Sequence, residues 1–174
     1  SFFWVQRQAL AMADPTDPAA LAQVSARLAA NLDGILIAGE AAWPLVVEQF
    51  EEHDGPGELF VAAFLAISAR DDRRIAQVVE FAKANKQAEM GLQGALSQLP
   101  PQQTGYLVRP WIASTDPFKC RMATATIADH RVDAKNSLGP LLNHADVAVR
   151  IEAYRLAGLT SRKDALGALS AALQ

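Results

Sequence analysis

The sequence predicts an all-α fold in which antiparallel helix pairs stack in series as an α–α superhelix. Three observations carry this. Apolar residues recur at steps of three and four along most of the chain. No Val/Ile/Thr-rich run alternates with period two, so strands are not expected. Finally, two stretches thirty residues apart share one layout: PWIASTDPFKCRMATATIA from Pro110 and PLLNHADVAVRIEAYRLAG from Pro140. Each opens with Pro and two apolar residues, has Asp six positions after the Pro, then Arg and a small-residue helix.

The elements follow in order. Residues 1–13 suit a short helix, which DPTDP (14–18) stops. Asp17 then caps a new helix with Pro18 at its first position, where the missing N–H costs nothing. An apolar stripe through Leu21, Val24, Leu28, Leu32, Ile35, Ala38, Ala42, Leu45 and Gln49 extends this helix to about residue 52. Pro44 should kink it, giving one long bent helix; the alternative is two helices hinged near Gly39. Gly34 and Gly39 read as close-packing sites. EEHDGPG (51–57) is a loop.

A helix over 58–69 turns Leu59, Ala63, Ala66 and Ile67 inward. Asp71 or Asp72 caps the next, with Ile75, Val78, Val79 and Ala82 inward, and another buries Leu92, Ala95, Leu96 and Leu99 before Pro100-Pro101 ends it. The doubled stretch gives helices over 103–113 (containing Pro110), 117–129 (capped by Asp116), 134–143 (containing Pro140) and 147–158 (capped by Asp146). A last helix is expected over 162–173. Its ALGALSAAL is apolar on much of its surface, so further C-terminal repeats or a second chain should cover it. The expected domain organisation is a single unit, 1–174, forming the N-terminal part of a longer protein. A segment 1–57 holds the kinked helix, and helix-pair repeats fill 58–174. About five pairs joined by short turns make a right-handed solenoid.

Composition bounds the function more loosely. The 174 residues are 51% hydrophobic but 7% aromatic, with net charge −3. Residues 1–87 carry seven Lys/Arg against twelve Asp/Glu, and residues 88–174 carry nine against seven. That asymmetry suits neither a polyanion binder nor an acidic tail. Cys120 is the one cysteine, which excludes an intrachain disulfide and a Cys-based zinc site and makes a cytoplasmic setting the default. SFFWVQRQAL lacks a signal peptide's apolar core, and no window is expected to span a bilayer.

The proline in the first helix of each pair, followed by Asp, Arg and Ala, resembles HEAT repeats, most clearly in DVAVRIEAYRLAGL (146–159). SFFWVQR, LAANLDGILIAGEAAWPLV, PGELFVAAFLA and ADHRVDA also look like a proteobacterial family of HEAT-like proteins often encoded near type VI secretion clusters. The resemblance implies a scaffold or assembly adaptor with another protein, secretion-associated, as partner. It supplies neither catalytic residues nor a cofactor.

The residues apt for chemistry sit mostly at helix ends. His53, His130 and His144 with Asp129, Asp133 and Asp146 lie at helix ends, where they answer free backbone groups and the dipole; the H-x-x-x-H spacing of a helical metal site is missing. Cys120 lies near a helix start beside Lys119 and Arg121, but its nearest base in sequence, His130, is ten residues on, so an inert thiol is expected. Asp116 and Asp146 should cap and then receive Arg121 and Arg150, forming a ladder with Pro110 and Pro140 at the repeat starts. Trp4, Trp43 and Trp111 read as core anchors.

Two charged clusters offer an interaction surface. One is basic, around Arg70, Arg73 and Arg74 with Lys83 and Lys86. The other is an acidic knob of Glu48, Glu51, Glu52 and Asp54, ordinarily a solvated surface; because its sign opposes a helix C-terminus, the alternative reading is a contact for a basic partner. The rival readings are a DNA-repair or other nucleic-acid-binding HEAT-like protein, which needs a basic groove with Trp111 exposed, and a HEAT-like lyase, which needs a pocket joining His130, Cys120 and a carboxylate. No G-x-S-x-G, phosphate loop or H-E-x-x-H occurs.

Overall fold

A computed structural model describes residues 1–165, Gly167 and Ser170. The described residues are helical with no strand, as the periodicity predicted. Of the helix expected over 162–173, Lys163–Ala165 form a 3₁₀ turn, and most of the remainder lies outside the described residues. Packing divides the chain into two compact units, Ser1–Leu99 and Pro100–Gln174. The break in character expected at 57/58 falls inside the first unit, where the helices on either side of it pack together.

In the first unit the helices are α1 (Phe2–Ala11), α2 (Pro18–Ala38), α3 (Ala42–His53), α4 (Pro56–Ala69), α5 (Asp72–Ala84) and α6 (Glu89–Gln98). Asp17 accepts the Ala19 and Ala20 N–H groups, and Asp71 accepts those of Arg73 and Arg74. These are the caps that the sequence named, each worth about 1 kcal/mol.

A 3₁₀ turn, Gly39–Ala41, links α2 to α3. The break is at Gly39, whose φ of 52° belongs to the left-handed region. Pro44 does not kink the run. It is the third residue of α3, in the first turn, where no intrahelical N–H bond is lost. The stripe also needs correcting. Along the run the buried positions are Val24, Leu28, Leu32, Ala42 and Phe50, with Ile35 and Val46 half-buried. Ala42 and Phe50 are buried, whereas Leu45 is 63% exposed and Gln49 is exposed. Steps chosen for apolar residues had slipped one position past the break.

Around α4 the other helices gather: α1, α2, α3, α5 and α6 all pack against it. Leu59 to Ile67 are buried without interruption, so α4 is apolar all round, with Leu59, Ala63, Ala66 and Ile67 only part of its contact surface. Each large side chain here contributes about 1.5–3 kcal/mol. Trp4 stacks on Phe60 with ring centroids 5.0 Å apart. The close approaches come from glycines other than those expected. A Cβ on Gly91 would lie 2.1 Å from the Pro56 carbonyl oxygen, and one on Gly94 would lie 2.4 Å from the Trp4 ring. Gly34 and Gly39 face nothing within 4 Å.

The second unit holds α7 (Pro101–Ile112), α8 (Pro117–Asp129), α9 (Leu138–Leu142) and α10 (Val147–Leu159). α8 packs against α7 and α10, and α10 against α9. The doubled sequence is doubled in local geometry. The Ser114 hydroxyl accepts the Asp116 N–H at 3.1 Å, and thirty residues on His144 Nδ1 accepts the Asp146 N–H at 3.0 Å. Each Asp then caps its helix. At the far ends, Arg131 and Ser161 are both left-handed, and Val132 and Arg162 each donate five residues back, to Ile127 and Ala157. The copies differ at their first helix. Pro110 lies in the last turn of a twelve-residue helix, whereas Pro140 lies in the first turn of a five-residue one. A 3₁₀ turn at Lys135–Ser137, begun by Asp133 accepting the Lys135 N–H, takes the place of the rest of the helix expected over 134–143.

Candidate functional site

The groups proposed for chemistry do not converge. Cys120 is 1% exposed and its Sγ donates to the Ile112 carbonyl at 3.5 Å. Burial pushes the thiol up, the Thr124 hydrogen bond works against this, and the Asp146 charge adds to it. His130 caps the opposite end of α8, about 15 Å away at 1.5 Å per residue. Among the described residues no three His, Cys, Asp or Glu side chains form a metal-binding group. Trp111 is buried, as is Trp4, while Trp43 is half-buried under the Arg74 guanidinium, 4.8 Å from its ring centroid.

The arginines of the expected ladder have these contacts. Arg150 donates to the His144 and Ala145 carbonyls of its own repeat's turn. Arg121 lies over the Phe118 ring at 5.4 Å. Two further arginines, Arg155 and Arg162, also tie one repeat to the next. Arg155 of α10 donates to Asp129 at 2.7 Å and to the Ala125 carbonyl at 3.1 Å, both on α8, and Arg162 reaches Asp133 at 2.5 Å. Burial would lower the Arg155 pKa, but the hydrogen bonds and charges of Glu152 and Asp129 outweigh it and raise the value. The signal was the side of the helix. Arg155, Glu152 and Asp129 meet on the face of α10 that packs on α8.

The basic cluster is partly structural. Arg74 forms an ion pair with Glu40 and another with Asp71 at 3.1 Å, and its side chain is 14% exposed. Arg70 ends α4 in a left-handed conformation, and Arg73 is exposed. Lys83 pairs with Glu80 at 3.4 Å.

The acidic knob has a different neighbour. A groove of about 270 Å³ opens beside it, lined by Ile35 of α2, Ala42, Leu45, Val46 and Gln49 of α3, Glu58 and Val61 of α4, and Ser1. Its wall is mainly apolar. Leu45 and Gln49 share one face of α3 with Glu48 and Glu52, three and seven residues beyond Leu45. Glu48, Glu51, Glu52 and Asp54 are all exposed. Glu52 accepts from Gln49 at 3.3 Å. Leu36 and Ile37, 42% and 87% exposed, extend the apolar surface along α2. A second, open depression of about 470 Å³ is lined by Phe50, Phe81 and Asn85 with Asp54 and Lys86.

One expectation about membranes is overturned on composition. The continuous run Pro18–His53 contains an 18-residue stretch of mean hydropathy 1.2, long and apolar enough to cross a bilayer by those criteria, and 11% of that stretch is buried.

No family model matches the chain, and neither a curated protein nor a solved structure matches it.

Proposed function

We propose that the protein is an interaction module, an adaptor or scaffold that seats a partner protein in the groove of its first unit. The carrying observation is the groove itself: an apolar trough of about 270 Å³ with Leu45 63% exposed on its wall. Burying such a surface against a partner is the ordinary driving force of association. The chain's one thiol is inert by burial, and its histidines occupy helix ends and turns, so the side chains most apt for chemistry are engaged in structure. The thirty-residue doubling in the second unit supports the HEAT-like reading, in which helix pairs stack in series and expose a face for binding. On that reading the second unit extends the scaffold, and the partner is a component of the secretion-associated kind that the resemblance implies.

The test compares protein retention from a lysate of the source organism by the wild-type chain, Leu45→Arg and Met90→Arg. Met90 is 57% exposed on α6 and does not line the groove. Proteins held by wild type and Met90→Arg but lost by Leu45→Arg are expected. Retention that ignores Leu45 altogether would count against the groove as the docking site.

A further inference from the structure

We infer that the groove takes an amphipathic helix whose polar face is basic. This rests on the docking reading above and adds the chemistry of the occupant. Three observations point the same way.

The first is the shape and lining. Ile35, Ala42, Val46 and Val61 form an apolar floor between helices, with Leu45 standing on one wall. A trough between helices receives side chains spaced at i, i+3, i+4 and i+7 on an incoming helix.

The second is charge. From Pro18 to Ala69 the sequence holds one Lys or Arg, Arg27, against seven Asp or Glu. Glu40 is engaged by Arg74. Glu48 and Glu52, on the Leu45 face of α3, are left to set the sign of the rim.

The third is a local conflict. Glu51 and Glu52 lie in the last turn of α3, where the exposed carbonyl groups already carry partial negative charge. Lysines or arginines arriving from a partner relieve both the dipole conflict and the mutual repulsion. The same field repels phosphate polyanions and anionic lipid headgroups, which separates a basic protein helix from nucleic acid and from a membrane surface.

The experiment uses fluorescence anisotropy with three labelled peptides of equal length: Leu and Lys in amphipathic helical order, the same composition scrambled, and Leu and Glu in helical order. The helical Leu/Lys peptide is expected to bind and to weaken as salt rises. Leu45→Arg and the double variant Glu48→Lys/Glu52→Lys should each weaken it about tenfold or more, whereas Met90→Arg leaves it unchanged. All of these positions are exposed, and circular dichroism checks that the variants remain helical.

Equal binding of the scrambled peptide overturns the inference, as does indifference to Leu45. Leu45-dependent binding of the Leu/Glu peptide, or of phosphatidylserine vesicles, also overturns it. The Leu/Glu result would leave the docking reading standing with the wrong charge assigned. If neither helical peptide binds, the basic-helix inference fails, and the lysate comparison alone decides the docking reading.

Discussion

Gly94 lies directly beneath the indole of Trp4: a Cβ added there would fall 2.4 Å from ring carbon Cζ2 and 2.8 Å from Nε1. The indole in turn stacks on Phe60 of the central helix α4, so α1, α4 and α6 meet at this one contact. Gly94→Ala is expected to destabilise the protein by about 1–3 kcal/mol, the usual cost of overpacking. Gly91→Ala should cost at least as much, because its added carbon would meet backbone atoms of Pro56 and Phe60 rather than a side chain. Gly34→Ala has the opposite sign. Nothing lies within 4 Å of Gly34 and it sits inside α2, so the substitution should stabilise by about 0.5–1 kcal/mol. Urea denaturation of the three variants measures the contrast.

Arg155 ties α10 to α8 through Asp129 and the Ala125 carbonyl, and it also pairs with Glu152. Removing it by Arg155→Ala should cost about 1–2 kcal/mol, the scale of charge-assisted hydrogen bonds discounted for partial exposure. Arg155→Lys should recover less than half of that loss, because an ammonium cannot reach three acceptors in the planar fork that a guanidinium provides. Thermal melts of the two variants against wild type give the ranking, and full rescue by Lys would contradict the role assigned to the fork.

Asp116 and Asp146 occupy matching positions and accept the first amides of α8 and α10. Asp116→Ala and Asp146→Ala are each expected to lose about 1 kcal/mol, with Asn at either position retaining most of it. Amide hydrogen exchange should speed first at the start of the affected helix.

Cys120 gives a pH signature. Burial raises the thiol above its ordinary value in the fold. The unfolded chain therefore gives up this proton at lower pH than the folded one. The stability that the thiol contributes is complete below the unfolded value and is lost as pH rises through the folded value. Melting temperature should fall more steeply from neutral into alkaline pH for wild type than for Cys120→Ala. In the same protein, Ellman's reagent should react slowly before denaturation and at a free thiol's rate after it.

Much of the helical layout was legible because caps and prolines are local signals. Asp17, Asp71, Asp116 and Asp146 each act within three residues of themselves, and the structure places each at its helix start. The burial of Ile75, Val78, Val79 and Ala82 was equally readable, since α5 is amphipathic and one face decides its packing. Helix α4 was only half readable, because a helix apolar all round has no face to single out. The groove was missed for a related reason. Leu45 looks like a core residue by type and by its three-residue step from buried Ala42, and the turn at Gly39–Ala41, which resets the helical phase, decides which face of α3 is buried. The arginine contacts depend on which helices meet, and the thirty-residue comparison matched sequence positions without saying which side of α10 packs on α8.

The paired left-handed turns at Arg131 and Ser161 have an engineering consequence. The thirty-residue stretch between them begins and ends on the same backbone conformation, and each end is sealed by the same five-residue hydrogen bond. A tandem copy of residues 131–160 inserted after His130 would meet at its one new junction the backbone conformation that Ser161 already adopts, which makes this segment a natural cassette to try for lengthening the chain.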